Sequence, residues 1–176
     1  VGGFTTLPLF LQSGGTMSVN LLVNMYNTIP NFRYVKDEAG NPLERVGELT
    51  ARTHGGLKVF SGNGVATMIT EMERGFTGHC PFTSLADVYA SAFDAFHSGN
   101  RQKAFEIFGA IQAASSIFAQ NNLQIMVARG VFRPGTRGRL APLAPGSAPA
   151  GAYKPATTAK EIARVLDTYM KRYQRA

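Results

Sequence analysis

Phe32-Arg33-Tyr34-Val35-Lys36, followed by Asp37-Glu38, is the stretch that decides the fold. Aromatic and β-branched residues in a short run, closed by charged ones, read as a strand in a pleated, half-buried sheet. The lysine stands at its carboxyl end. In parallel α/β sheets the loops beyond that end carry the ligand-binding residues. A lysine so placed is either a solvated edge residue or ion-pair partner, or an amine that, once neutral, can attack a ketone carbon to form a Schiff base. Simple alternation along the strand puts Phe32, Tyr34 and Lys36 on one side.

Working outward, apolar runs of strand character recur and alternate with amphipathic ones. Residues 7–12 form a buried run, followed by the loop Ser13-Gly14-Gly15-Thr16 and a helix over 18–26 with Leu21, Leu22 and Met25 on one face. After 32–36, Asn41-Pro42 supplies an N-cap and a first-turn proline for a helix reaching Arg52, stopped by Gly55-Gly56. Residues 57–61 are the third strand, with Gly62-Asn63-Gly64 as its loop. A helix over 66–74 ends at Gly75, and the last strand is 76–80, broken by Pro81. Strands spaced by roughly 20–25 residues with helices between them mean parallel βα units. The loops after the strands then hold Gln12-Ser13-Gly14-Gly15, Lys36-Asp37-Glu38, Gly62-Asn63-Gly64 and Cys80-Pro81.

The remainder is helical. Ser84-x-x-Asp87 predicts a capping box for a helix bearing Leu85, Val88, Tyr89, Ala92, Phe93 and Phe96. Beyond His97-Ser98-Gly99-Asn100, a second helix carries Ala104, Ile107, Phe108, Ile111, Ser115 and Phe118, and a third runs over about 124–130. Residues 134–155, rich in Pro, Gly and Ala, read as a long loop. Thr158-x-x-Glu161 caps a final helix with Ile162, Val165, Leu166 and Tyr169 inward. The chain thus divides into four βα units over 1–97 and a helical extension over 98–176. Four units do not close a barrel of eight strands, so the sheet is either open or half of a larger one.

At 176 residues, 44% hydrophobic and 16% charged, the composition is that of a globular domain with a sizeable core. Cys80 is the single cysteine, so no internal disulfide forms, which suits a reducing, cytoplasmic setting. No apolar stretch is long enough to span a bilayer, so no membrane partner is expected. The start, Val1-Gly2-Gly3, lacks both a methionine and a basic-then-apolar leader, as expected of a cut end. The net charge of +7 is concentrated in residues 129–176, where ten Lys and Arg face only Glu161 and Asp167. Those basic residues do not form one cluster and no binding motif accompanies them. A nucleic-acid partner is therefore disfavoured against a solvated face or anion contacts at a subunit boundary. His54, His79 and His97 are too scattered for a metal site, and none is expected.

Strand-ending Lys36, the Ser61-Gly62 turn, Arg74-Gly75-Phe76-Thr77-Gly78 and Ser98-Gly99-Asn100-Arg101-Gln102-Lys103-Ala104, taken in order, resemble the carboxyl-terminal portion of the dihydrodipicolinate synthase and N-acetylneuraminate lyase family. The resemblance runs over essentially the whole chain. It implies a (β/α)8 TIM barrel with these strands as the fifth to the eighth, carboxyl-terminal helices after them, and about 120–130 further residues upstream. It also implies Lys36 as the Schiff-base lysine and a substrate-contacting loop at Gly62 and Asn63. Cys80 falls on the eighth-strand position beside the imine. Assembly as a dimer or tetramer follows from the same likeness, with no cofactor.

One position departs from the pattern. Where aldolases and synthases of the family carry a proton-relaying tyrosine, this chain has Gln12, followed by Ser13-Gly14-Gly15 with no proline. A glutamine amide orients a carbonyl or a water but does not titrate near neutral pH. Gln12, Glu38 and Arg129-Gly130-Val131 look more like the branch that dehydrates 2-keto-3-deoxy sugar acids. The expected substrate is therefore a small 2-keto acid, pyruvate-like or a keto-deoxy sugar acid. Lys36 is the nucleophile, and Gln12 and Glu38 stand beside it as catalytic candidates. By the same resemblance Ser13, Gly62, Asn63 and Cys80 are expected to line the substrate. The alternatives are a catalytically incompetent fragment or pseudoenzyme with a structural role and, last, a basic binding module.

Overall fold

The computed structural model describes residues 3, 5–62, 65–118, 122–134, 136 and 159–174. The chain forms two compact units, Val1–Pro81 and Phe82–Ala176. The first is an α/β unit in which β1 (Leu9–Gln12), β2 (Phe32–Lys36), β3 (Lys58–Ser61) and β4 (Gly78–His79) form one parallel sheet in sequential order. The connections are helices α1 (Val19–Thr28), α2 (Pro42–Arg52) and α3 (Met68–Glu73).

Local chemistry explains the helix starts. The Ser18 side chain accepts from Leu21 N at 3.1 Å, and the Asn41 side chain accepts from Leu43 N at 3.2 Å with Pro42 following. The buried stripe of α1 is Val19, Leu22 and Val23, an i, i+3, i+4 set, whereas Leu21 is exposed. The predicted face through Leu21 is thus rotated, because Val19 takes the first inward position. These residues pack with Val46 and Leu49 of α2 and with Phe32, Val35 and Val59 of the sheet.

The sheet's opposite face carries Phe10, Tyr34 and Phe60, whose ring centroids lie 5.0–6.3 Å apart. Phe32 does not join them, contrary to simple alternation. Leu9 pairs with Phe32 but Phe10 pairs with Tyr34, leaving Arg33 as an extra residue. This bulge turns Phe32 into the core and sends Arg33 over the Tyr26 ring of α1, 5.5 Å from its centroid. Tyr34 and Lys36 keep the open face. Phe10 is 54% exposed there. Gly78 lies under Phe60, where a Cβ would come within 2.6 Å of the ring.

The second unit contains α4 (Ala86–His97), α5 (Arg101–Phe118), α6 (Asn122–Ala128) and α7 (Ala159–Val165). The predicted capping box at Ser84 does not form. A 3-10 turn over Thr83–Leu85 precedes α4, the Ser84 hydroxyl donates instead to Asn122 Oδ1 at 2.5 Å, and Asp87 is taken by Arg129. Gly99, at φ +84°, allows the turn into α5, whose first turn is capped by the Asn100 side chain accepting from Lys103 N. After α7 the backbone widens into a π turn over Leu166–Met170. The extra residue in that turn buries Met170 and leaves Tyr169 exposed, reversing the expectation for Tyr169. Most of the expected loop at 134–155, the Thr158 cap and the Phe118 side chain lie outside the described residues.

Candidate active site

The carboxyl ends of adjacent parallel strands bring side chains together from positions far apart in sequence. Gln12, the last residue of β1, is paired in register with Lys36, the last of β2, and Lys36 with Phe60 of β3. Lys36 Nζ lies 3.1 Å from Glu38 Oε2. Gln12 Nε2 donates to the same oxygen at 2.7 Å. The Lys36 and Glu38 side chains are 23% and 21% exposed, partly withdrawn from water yet open to a small molecule. A carboxylate beside an amine can take its proton and return it, which is the pairing that imine formation needs. Gln12, lacking a titrating group, orients the carboxylate.

Gly62 closes one side of this cluster. A Cβ there would overlap the Glu38 carboxylate and lie 2.5 Å from Lys36 Cε, so the close approach requires glycine. Burial pushes the Cys80 thiol above its ordinary value, with the Lys36 charge opposing and the Glu38 charge reinforcing the shift. Cys80 is thus within electrostatic reach of both residues, as a protonated thiol of low nucleophilicity. Asn63 lies outside the described residues. Val65, just beyond it, is fully buried with φ +58°, a strained setting for a β-branched residue.

The fold of the chain has a solved counterpart. The chain matches the 4-hydroxy-tetrahydrodipicolinate synthase of the thermoacidophilic methanotroph Methylacidiphilum fumariolicum SolV with a TM-score of 0.68. Sequence identity is 19%, over 94% of this chain and 57% of that one. At that identity the likeness is one of fold, and this chain spans somewhat over half the length of the synthase chain. No protein-family pattern matches the sequence. No curated protein matches it either.

Ser13 has a different surrounding from the other candidates. Its hydroxyl donates to Asp37 Oδ1 at 2.5 Å and accepts from Glu38 N at 3.1 Å. Asp37 is 1% exposed and is held by Arg45 of α2 through Nε at 2.8 Å and Nη2 at 3.1 Å. A second buried pair lies on the helix side of the sheet. His79 Nε2 is 3.0 Å from Glu71 Oε2, and Thr67 donates to Glu71 Oε1 at 2.7 Å. Burial alone would raise the Glu71 carboxyl. The neighbouring His79, Ser61 and Thr67 side chains, His79 first among them, hold it below its ordinary value instead.

The spacing rules passed over Arg45 and Glu71, and read Asp37 only as part of the loop after the second strand. Glu71 carried a readable signal, an acid set within the apolar Met68-Ile69-x-x-Met72 turn; Asp37 and Arg45 carried none. Among the described residues no group of three or more His, Cys, Asp and Glu side chains is arranged to hold a metal. Among them, too, no helix is long and apolar enough to cross a membrane.

Proposed function

We propose that this chain is the carboxyl-terminal half of a (β/α)8 barrel, its strands corresponding to the fifth to the eighth, and that it supplies the Schiff-base lysine of a class I lyase acting on a 2-keto acid. The carrying observation is the cluster of Lys36, Glu38 and Gln12 at the carboxyl ends of adjacent parallel strands. Sequential strand order with the apolar core on one face, and an aromatic surface on the other, supports the half-barrel reading. In it, residues 1–97 are four βα units and 98–176 the extension, and an upstream half covers Phe10. The assembly is a cytoplasmic dimer or tetramer.

Glu38 takes a proton from Lys36 Nζ, and the neutral amine attacks the C2 ketone. The carbinolamine loses water to give a protonated imine. That cation withdraws electrons from C3: either the C3 proton passes to Glu38 and the C4 hydroxyl leaves as water on taking a proton back, or the C4 hydroxyl gives up its proton and the C3–C4 bond breaks, its electrons passing to the imine. With Gln12 in place of a tyrosine, Glu38 carries the protons, which favours dehydration of a 2-keto-3-deoxy sugar acid. Incubation with pyruvate and borohydride, followed by peptide mass analysis, tests this: the reduced adduct is expected on Lys36 and absent from Lys36→Arg.

The exposure of Phe10 favours a second reading, a catalytically incompetent piece that serves assembly. A folded sample with no adduct at Lys36 selects it.

A further inference from the structure

Ser13 and Asp37 stand next to the cluster but do not enter it, and their bonds show where their strength goes. Ser13 N donates to Lys36 O at 2.9 Å and Asp37 N to Phe60 O at 2.9 Å, so the backbone after β2 is pinned from both neighbouring strands. The Ser13 hydroxyl then bridges Asp37 Oδ1 and Glu38 N. Its single proton is committed to Asp37 and a lone pair to Glu38. Arg45 closes the chain, gripping both Asp37 oxygens while Nη2 also donates to Met17 O at 2.9 Å. Asp37 is therefore saturated with donors and unavailable as a base. Glu38, one residue on, keeps its carboxylate on the Lys36 side.

We infer that Ser13, Asp37 and Arg45 form a positioning clamp that holds Glu38 against Lys36, and that Ser13 acts on the proton transfer and not by touching the substrate. This rests on the Schiff-base reading above. A buried, charge-assisted chain is stiff, and small misplacements of a proton acceptor are costly in rate. Ser13→Ala removes the bridge to Glu38 N while leaving the Arg45–Asp37 pair in place. Ser13→Thr returns the hydroxyl.

The test measures the rate of borohydride-trapped pyruvate adduct at Lys36 against pyruvate concentration. Wild type, S13A, S13T and R45K are compared, each checked for cooperative unfolding. Expected for S13A is a limiting rate lower by about tenfold or more, with unchanged half-saturating pyruvate and recovery in S13T. R45K, which keeps the charge but loses the fork, falls in the same direction. Faster amide exchange at Glu38 in S13A, reversed in S13T, accompanies the loss. An unchanged limiting rate in S13A, or a raised half-saturation at unchanged limiting rate, overturns the clamp while leaving the lysine chemistry standing. No adduct on the wild-type protein overturns the Schiff-base reading first, and the clamp's catalytic purpose with it.

Discussion

Lys36 Nζ and Glu38 Oε2 are 3.1 Å apart, although an aspartate whose side chain points the other way separates them in sequence. Alternation past the end of β2 places 36 and 38 on the same side and sends Asp37 to Arg45. The result is an amine and a carboxylate on adjacent ground, with Gln12 of the neighbouring strand donating to the same carboxylate oxygen.

Glu38→Gln keeps the shape and removes the base. Adduct formation with pyruvate and borohydride is expected to slow by about 10²–10⁴-fold. Gln12→Ala, which only frees the carboxylate to rotate, slows it less. Equal effects from the two would show that Glu38 does not move the proton.

Gly62→Ala separates site from fold. The new methyl meets the far ends of the Glu38 and Lys36 side chains, which can swing away. Stability is expected to change by less than about 1.5 kcal/mol, measured by denaturant unfolding, while adduct formation is lost. An adduct rate equal to wild type would contradict the close approach.

Cys80 is expected to react slowly with iodoacetamide at neutral pH, and faster only as the pH rises past its ordinary value of 9.0. Cys80→Ser should still form the Lys36 adduct, since the proposed imine chemistry makes no use of the thiol. Loss of the adduct in that variant would give the sulfur a role.

The Glu71 carboxyl is lowered in the folded chain, so folding favours its ionised form. Its contribution to stability is complete above the ordinary value of 4.5. It declines as the pH falls through the folded value, because the unfolded chain binds the proton first. Glu71→Gln is expected to cost about 1–3 kcal/mol at pH 7 and to flatten the acid limb of a stability–pH curve. An acid limb as steep as wild type would assign it to other groups.

Arg129 grips Asp87 with Nη1 at 2.8 Å and Nη2 at 2.6 Å, and donates to Ser84 O at 2.5 Å. A lysine cannot reproduce that fork. Arg129→Lys is expected to cost about 1–3 kcal/mol in thermal unfolding, with most of the loss absent in an Asp87→Asn background. Full additivity of the two substitutions would mean the pair is not coupled.

The sequence by itself determined the order of the strands and helices and the carboxyl ends of the first three strands. Period-two runs, Ser18, Asn41-Pro42 and the glycine stops are local signals, and local signals survive without a tertiary frame. Lys36, Gln12, Glu38, Gly62 and Cys80 were legible for the same reason, since each sits at or just beyond a readable strand end. Only the tertiary structure decided the rest. The Arg33 bulge, invisible to alternation, moved Phe32 from the open face to the core. Asp37 was one acid among several until Arg45, eight residues on, reached back from α2. The Ser13 hydroxyl turned out to be bonded to Asp37 and to the Glu38 amide, and Ser84, read as a cap, to be a partner of Asn122. Asp37, Ser13 and Ser84 satisfy a buried or part-buried polar group with one distant in sequence, and no spacing rule reports which distant group that will be.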